Sequence, residues 1–563
     1  MPPQTITTPL GHSLPPEGPH TITAHVPGWD AVAAFRRGDP AILGAMKSMY
    51  PRFSPFNEVA QLGKKITTLL DLPPTHTVLL FTDPTSIALA RRHAASPHRK
   101  PDAPRLAADE LVFRAVDFDA VRLFVVAFPA AKAPGIIGVW QDPGIGVSSR
   151  LAETLLAEEG AVVWDGAGEV LEGRFLAEGA AHGQLRERVR GLVGRGVEGG
   201  HGVEGGDVFL TGTGMASIFR VWEMAMRVRP GTVVALGGVF HSSWHLFDES
   251  EGGFKHFGRC DDGTALDELE VWLEGEKTAG RTVSFVFVEF PSNPILVSVD
   301  LERLRQLADK YAVPLVIDET IGSFCNIDVM PAADIIVSSL TKSFSGYANV
   351  MAGAIIFNPS SPFHSLLRPA LTSTFHNDLF LPDATVLLSN SASYLPRSAI
   401  LNRNALAVAT ALAASAASPL SPITAVLYPP FTSTHANMVP FLRRGGGGAG
   451  PDFPSGPGYG CLLSVDFEDI AYSQAFYEAL QFYKGPHLGA HLSLAMNFND
   501  AVWGAEPATA RYHAGYNMRP EQVRLAVGLE EAEDLVDTVQ AAVEVVVELK
   551  RRGIPKVEAV EKE

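Results

Sequence analysis

Between residues 207 and 360 the chain alternates short, largely apolar β-rich runs with helical stretches, and few architectures accept that pattern. DVFLTG is followed by a helical run through MASIFRVWEMAMRV and then by TVVALGG. Later come TVSFVFVEF, a helical LERLRQLADKYA, PLVIDET and ADIIVSSL. A strand with one wet face alternates apolar and polar residues; these runs do not, so both of their faces must be covered. The intervening helices supply the cover, which predicts an α/β fold built on a mostly parallel sheet. Such sheets bind ligands at the carboxyl ends of their strands. The chemistry-bearing residues of this segment fall at those ends.

At 563 residues the chain is too long for one core. Two glycine-rich stretches, 196–206 and 444–460, are expected to be flexible loops. Residues 1–165 are read as an N-terminal α+β extension, in which HTVLLFTD and VRLFVVAF are strands and PTSIALARRHAA is a helix. No chemistry is legible there. Residues 166–380 form the large domain and 381–563 a smaller α+β domain, which ends in an amphipathic helix carrying Leu535, Val539, Val543 and Val546 at core spacing.

A net charge of −17 repels phosphate backbones and anionic lipid, so neither nucleic acid nor membrane is an expected partner. No apolar run reaches the ~18 residues of a membrane span, and the first residues lack the basic start of a secretory signal, so cytoplasm is the expected location. Cys260, Cys325 and Cys461 lie far apart with no CxxC, which predicts buried thiols rather than disulfides or a zinc site. His241/His245 and His487/His491 have i,i+4 spacing. No glutamate motif or further ligand accompanies either pair, so no metal is expected.

Lys342, in SSLTKSFSG, follows the strand ADIIVSS among hydroxyl residues, a setting in which a lysine can form a Schiff base with an aldehyde cofactor. Asp318 ends PLVID one βα step earlier. It either caps the next helix or pairs with a protonated pyridine nitrogen, which keeps a cofactor ring an electron sink. TGTGMAS (211–217) joins a strand to a helix start but lacks the third glycine of a dinucleotide fingerprint. The backbone N–H groups of Thr213, Gly214 and Met215 are nonetheless placed to cradle a phosphate, with Ser339 and Thr341 as hydroxyl donors.

Taken together, EFPSNPILVSVDLERLRQLADKYAVPLVIDETIGSF, ADIIVSSLTKSFSGYANVMAGAIIF and QVRLAVGLEEAEDLVD resemble the Cys/Met-metabolism family of pyridoxal-phosphate enzymes, in its fungal cystathionine γ-synthase branch. The resemblance covers roughly residues 170–545. It implies the aspartate-aminotransferase-like fold type I, pyridoxal 5'-phosphate as cofactor, small amino-acid substrates and a homodimer or homotetramer. It implies γ-replacement on an O-acylated homoserine by cysteine, with lyases or specialised synthases on the same scaffold, and a catalytically silent regulatory paralogue, as alternatives.

By the same resemblance Lys342 would hold the cofactor, Asp318 its ring nitrogen and Asn293 its ring hydroxyl. Thr320 completes the family's D-x-T. Gly214, Met215, Ser339 and Thr341 would bind the phosphate, and Arg524, with Asn293, the substrate carboxylate. Three departures stand out. The family's D-N-T reads Asp318-Glu319-Thr320, and its S-L-G reads His487-Leu488-Gly489. Its ring-stacking tyrosine is replaced within FHSSWHLFD, where Phe240 is nearest. Arg174 in LEGRFLAEG is the candidate for the family's Y-S-R element, which reaches the cofactor phosphate of the neighbouring subunit.

Overall fold

The computed structural model describes residues 5–51, 53–96, 103–119, 121–164, 174–443, 453, 456–504 and 506–553. Its centre is a seven-stranded sheet of β5 (Val208–Thr211), β6 (Thr232–Leu236), β7 (Phe254–Phe257), β8 (Val283–Glu289), β9 (Leu315–Asp318), β10 (Ile335–Ser338) and β11 (Gly353–Phe357), in spatial order β5-β11-β10-β9-β8-β6-β7. Only β11 runs against the others, pairing antiparallel with β10 and β5. The sheet is therefore mostly parallel, as the apolar runs predict. All seven residues of β8 are buried, because helices cover both of its faces.

One of those helices, Gly214–Val228, buries ten residues. Thr213 caps its start, the hydroxyl accepting from Ala216 N at 2.9 Å. On its outer side lies a second, antiparallel sheet of β1 (His76–Phe81), β2 (Val112–Asp117), β3 (Arg122–Pro129) and β4 (Val162–Trp164), ordered β1-β3-β2-β4. Alternation along β3 divides its side chains. Phe124, Val126 and Phe128 share a core with the helix Gly214–Val228, whereas Leu123 and Val125 face Leu62 and Ile66 of the helix Asn57–Leu69.

The last sheet comprises β12 (Ile423–Leu427), β13 (Leu462–Phe467), β14 (Tyr483–Lys484), β15 (Leu494–Met496) and β16 (Gln522–Ala526), ordered β12-β13-β16-β15-β14. The terminal helix Ala532–Arg552 buries Leu535, Val539, Val543 and Val546 against it, as their spacing predicts.

The first fifty residues do not stand apart from the catalytic part of the chain. Ile22 N donates to Ala348 O at 2.8 Å and Val26 N to Lys484 O at 2.9 Å. Trp29 sits edge-on to Tyr477 in the core of the last sheet. The stretch 196–206, expected to be a flexible loop, is a turn with Gly199, Gly200 and His201 all at positive φ followed by one short 3-10 turn, with His201 bonded to Asp328 at 2.8 Å. A side chain at Gly194 would meet Gly200 Cα at 2.7 Å. Most of the stretch 444–460 lies outside the described residues. All three cysteines are free and buried. Among the described residues no helix is long and apolar enough to cross a membrane.

Candidate active site

At the carboxyl ends of β8, β9 and β10 the chain encloses a cavity of about 670 Å³. Its wall includes Lys342, Asp318, Phe240, Thr213, Gly214, Met215, Asn293, Thr320, Ser339, Thr341 and Arg524. Residues read from separate motifs over more than 300 positions thus converge on one space, where a doubly covered parallel sheet places its ligands. Arg174 does not join them. It is exposed beside the N-terminal sheet, donating to Asp119 O at 2.8 Å.

Two carboxyls sit side by side, because the register pairs Glu289 of β8 with Asp318 of β9. Burial pushes Asp318 up to about 6, while the hydrogen bonds from Thr320 pull it down. Burial, then the Asp318 charge, pushes Glu289 well above the usual range. The pair therefore holds its proton first on Glu289 and leaves Asp318 ionised at neutral pH. A cation in the cavity opposite Asp318 would stabilise that charge. Thr320 N donates to Asp318 Oδ1 at 2.9 Å, and the Thr320 hydroxyl accepts from Ser339 N at 2.8 Å. Thr320 thereby ties the two strand ends together. Glu289 in turn accepts from Phe240 N, and from Asn293 N at 3.3 Å, fixing the residue nearest the family's stacking position.

The phosphate cradle is built from backbone. Gly214 begins its helix so close to Ser339 that a Cβ there would lie 2.6 Å from Ser339 Cβ. The N–H groups of Gly214 and Met215 belong to the first turn, which has no intrahelical acceptor for them. The hydroxyls are more committed than the sequence suggests. Thr213 Oγ1 donates to Gly144 O at 2.9 Å, and Thr341 Oγ1 exchanges bonds with the Ala352 backbone. Helix start, Asp318 carboxyl and Lys342 amine line one cavity, so the residues present fit a ring with a phosphate at one end and a basic nitrogen at the other.

Arg524 on β16 is buried, with Nη1 donating to Asn293 Oδ1 at 3.2 Å and Nη2 to Pro486 O at 2.6 Å. Its guanidinium lies 4.8 Å from the centre of the Phe498 ring. Burial pulls it down to about 10, which still leaves it charged at neutral pH. A planar cation so held is a bidentate receptor for a carboxylate. His487 is also buried, and neither ring nitrogen meets a hydrogen-bond partner among the described residues. Burial, then the charges of Lys342 and Arg524, holds its imidazole neutral. Gly489, at φ +72°, lets this segment lie on the Lys342 backbone, since a Cβ there would stand 2.4 Å from Ser343 N.

The residue that motif reading missed is Tyr50. Lys342 Nζ donates to its hydroxyl at 3.2 Å, and Tyr50 lines the same cavity. The signal was present in the sequence. Tyr50-Pro51-Arg52 has the spacing of the Y-S-R element sought at Arg174; Arg52 lies outside the described residues. A phenol beside the amine can take part in its proton traffic, a contribution of roughly 10²-fold. Tyr50→Phe is therefore expected to lower kcat about 100-fold with cofactor retained, and to alter the alkaline limb of the pH–rate profile. An unchanged kcat and profile would make Tyr50 mere packing.

A profile of the family described as Cys/Met metabolism PLP-dependent enzyme matches residues 201–544, more than half of the chain. Among curated proteins, alanine racemase ungC of Aspergillus violaceofuscus is 30% identical, the match covering 95% of this chain and 96% of that one. Cystathionine gamma-synthase-like enzyme iboG2 of Amanita muscaria is 32% identical, over 95% and 96%. Among solved structures, cystathionine gamma synthase from Xanthomonas oryzae pv. oryzae, in complex with aminoacrylate and cysteine, superposes with a TM-score of 0.53 at 22% identity, covering 69% of this chain and 91% of that one. Its likeness is one of fold. The chain belongs to the Cys/Met-metabolism family of pyridoxal-phosphate-dependent enzymes and is a cystathionine γ-synthase-like member of it.

Proposed function

We propose that the chain catalyses γ-replacement: an O-acylated homoserine and cysteine give cystathionine and the free carboxylic acid. The observation that favours this reading is the apolar lobe of the cavity. Beyond the polar cluster the wall continues along Phe35, Leu43, Phe53, Ile137, Phe498 and Val502. Such a lobe suits the acyl group and methylenes of an acylated side chain, and has little use for a substrate whose side chain is one methyl group.

Pyridoxal phosphate supplies an electron sink for the substrate α-carbon when it is bound. Lys342 would hold it covalently. Asp318 would face its ring nitrogen, Phe240 its ring and Asn293 its ring hydroxyl. The Gly214 and Met215 N–H groups, with the Ser339 hydroxyl, would take its phosphate. Arg524 and Asn293 fix the α-carboxylate of the incoming amino acid. Lys342 Nζ, released when that amino acid binds, removes the α-proton, passes it on through the Tyr50 hydroxyl and, neutral again, removes a β-proton. The acyl group leaves as a carboxylate, and the cysteine sulfur adds at the γ-carbon. Lys342 then returns the protons to carbon. The homo-oligomer expected from the resemblance belongs to the same proposal and is read by light scattering on the purified protein.

The chain-long likeness to a racemase supports a second reading, in which the same lysine and phenol exchange the α-proton without loss of a leaving group. One incubation separates the two. Purified protein, saturated with cofactor, is given O-acetylhomoserine with and without cysteine and, separately, L-alanine. Cystathionine formed only in the presence of cysteine supports γ-replacement. D-alanine without thioether supports racemisation and removes the first reading; a keto acid formed without thiol indicates a lyase and removes both. Under either reading Arg524→Lys is expected to cost about 100-fold in kcat/KM, mainly through KM. A single ammonium cannot replace a two-pronged contact, and the Asn293 and Pro486 oxygens lose a donor. A kcat/KM within twofold of wild type would place the carboxylate elsewhere.

A further inference from the structure

A second cluster of chemically capable side chains borders this cavity. The helix His241–Asp248 starts directly after Phe240, and one turn brings His241 and His245 to the same side. Against them the turn between the helices Phe498–Trp503 and Pro507–Ala514 delivers Glu506. His241 Nε2 and His245 Nε2 are 3.1 Å apart, and both face Glu506 Oε1, at 3.5 and 3.3 Å respectively. A tetrahedral ion bound at ~2.0–2.1 Å separates its ligand atoms by about 3.3–3.4 Å. The three atoms thus already outline one face of such a tetrahedron.

The protons of these groups alone do not satisfy the triangle. If one imidazole N–H donates to the other imidazole, that proton is lost to the carboxylate. If both donate to the shared oxygen, two N–H groups confront each other across 3.1 Å. With the carboxyl ionised, each of these assignments leaves one edge repulsive, whereas a central cation makes all three lone pairs attractive. The surroundings suit one as well. Trp503, almost fully buried, rests on His241 at 4.6 Å between ring centres and on His245 at 6.2 Å. That aromatic shell shields the ligands and lowers the local dielectric.

We infer that His241, His245 and Glu506 form a binding site for a zinc-class divalent transition ion, with a fourth position for water or a substrate group. Two imidazoles and a carboxylate select that class over calcium or magnesium, which take oxygen ligands. The expectation of no metal at His241 and His245 rested on the lack of a third ligand; Glu506, more than 250 residues away, is that ligand. The ion would tie the helix that follows Phe240 to the turn carrying Glu506. His241 and Phe240 both line the catalytic cavity, so the site adjoins the place where a substrate side chain would lie.

Tag-free holoprotein, stripped with chelator and dialysed, tests this by titration with Co²⁺, followed by its visible ligand-field absorption, and by elemental analysis after exchange into Zn²⁺. One equivalent per chain is expected, with the intense bands of a tetrahedral site. His245→Ala and Glu506→Gln, assayed separately, should each weaken binding by more than about tenfold. Should either variant fail to fold, the wild-type titration decides alone: weak octahedral bands or less than one equivalent overturns the proposal. Variants that fold and bind Co²⁺ as tightly as wild type overturn it too, by placing the metal on other groups.

Discussion

Lys342→Ala is expected to abolish turnover, by roughly 10⁴-fold or more, and to remove the visible absorption of lysine-bound cofactor. The backbone at this position is held independently of the side chain, with Lys342 N donating to Ser339 O and Gly346 N to Lys342 O. The variant therefore folds, and its loss is chemical. Shortening the side chain removes both the covalent anchor and the amine that moves the substrate's α-proton. The Tyr50 phenol, whose hydroxyl accepts from that amine, supplies no nucleophile to replace it. Purified variant and wild type, incubated with pyridoxal phosphate and desalted, are compared by absorption and by product formation with O-acetylhomoserine and cysteine. Retention of the visible band in the variant would mean that another lysine carries the cofactor, and the proposed chemistry would fail with the assignment.

Asp318→Asn is the second large effect, expected to lower turnover about 10³-fold with little change of shape, because the amide oxygen still accepts from Thr320 N. It removes the negative charge opposite the proposed ring nitrogen. The pH dependence carries an independent signature. Burial raises Asp318 to about 6, so the carboxyl is neutral and asparagine-like below that pH and charged above it. Cofactor affinity of wild type and variant should therefore converge as pH falls through about 6 and diverge as it rises. The same sign governs stability. A raised carboxyl pKa binds its proton more tightly in the folded state, so this group's destabilising contribution grows as pH rises from the unfolded value toward 6. Equal affinities for wild type and variant at pH 8 would remove Asp318 from the cofactor.

How much was legible in the sequence depended on how local the signal was. The doubly covered sheet announced itself, since β8, apolar at five of its seven positions, could bury all seven only with both faces covered. Asp318, Ser339, Thr341 and Lys342 were readable because strand ends are short-range features and their motifs are contiguous. Arg524 was readable from its family motif. Its hydrogen bond to Asn293, 231 residues away, was not. The stretch 196–206 was misjudged as a loose loop because glycine content reports conformational freedom, not whether neighbouring backbone takes it up; Gly194 and Gly200 lie in close contact.

Tyr50 and Glu506 show where sequence reasoning stops. Each is an ordinary residue in its own segment and gains its meaning from a contact closed across hundreds of positions, Tyr50 with Lys342 and Glu506 with His241 and His245. By itself the sequence determined the architecture, the family and the lysine proposed to hold the cofactor, because periodicity and contiguous motifs are local and the backbone's covering rules convert them directly into a sheet with a ligand-binding edge. Tertiary structure alone decided that the N-terminal region furnishes a phenol to that edge, that a second buried carboxyl, Glu289, lies beside Asp318, and that two histidines acquire a carboxylate. Proton placement and ligand sets depend on distances of a few ångströms between distant segments, and only packing sets those distances.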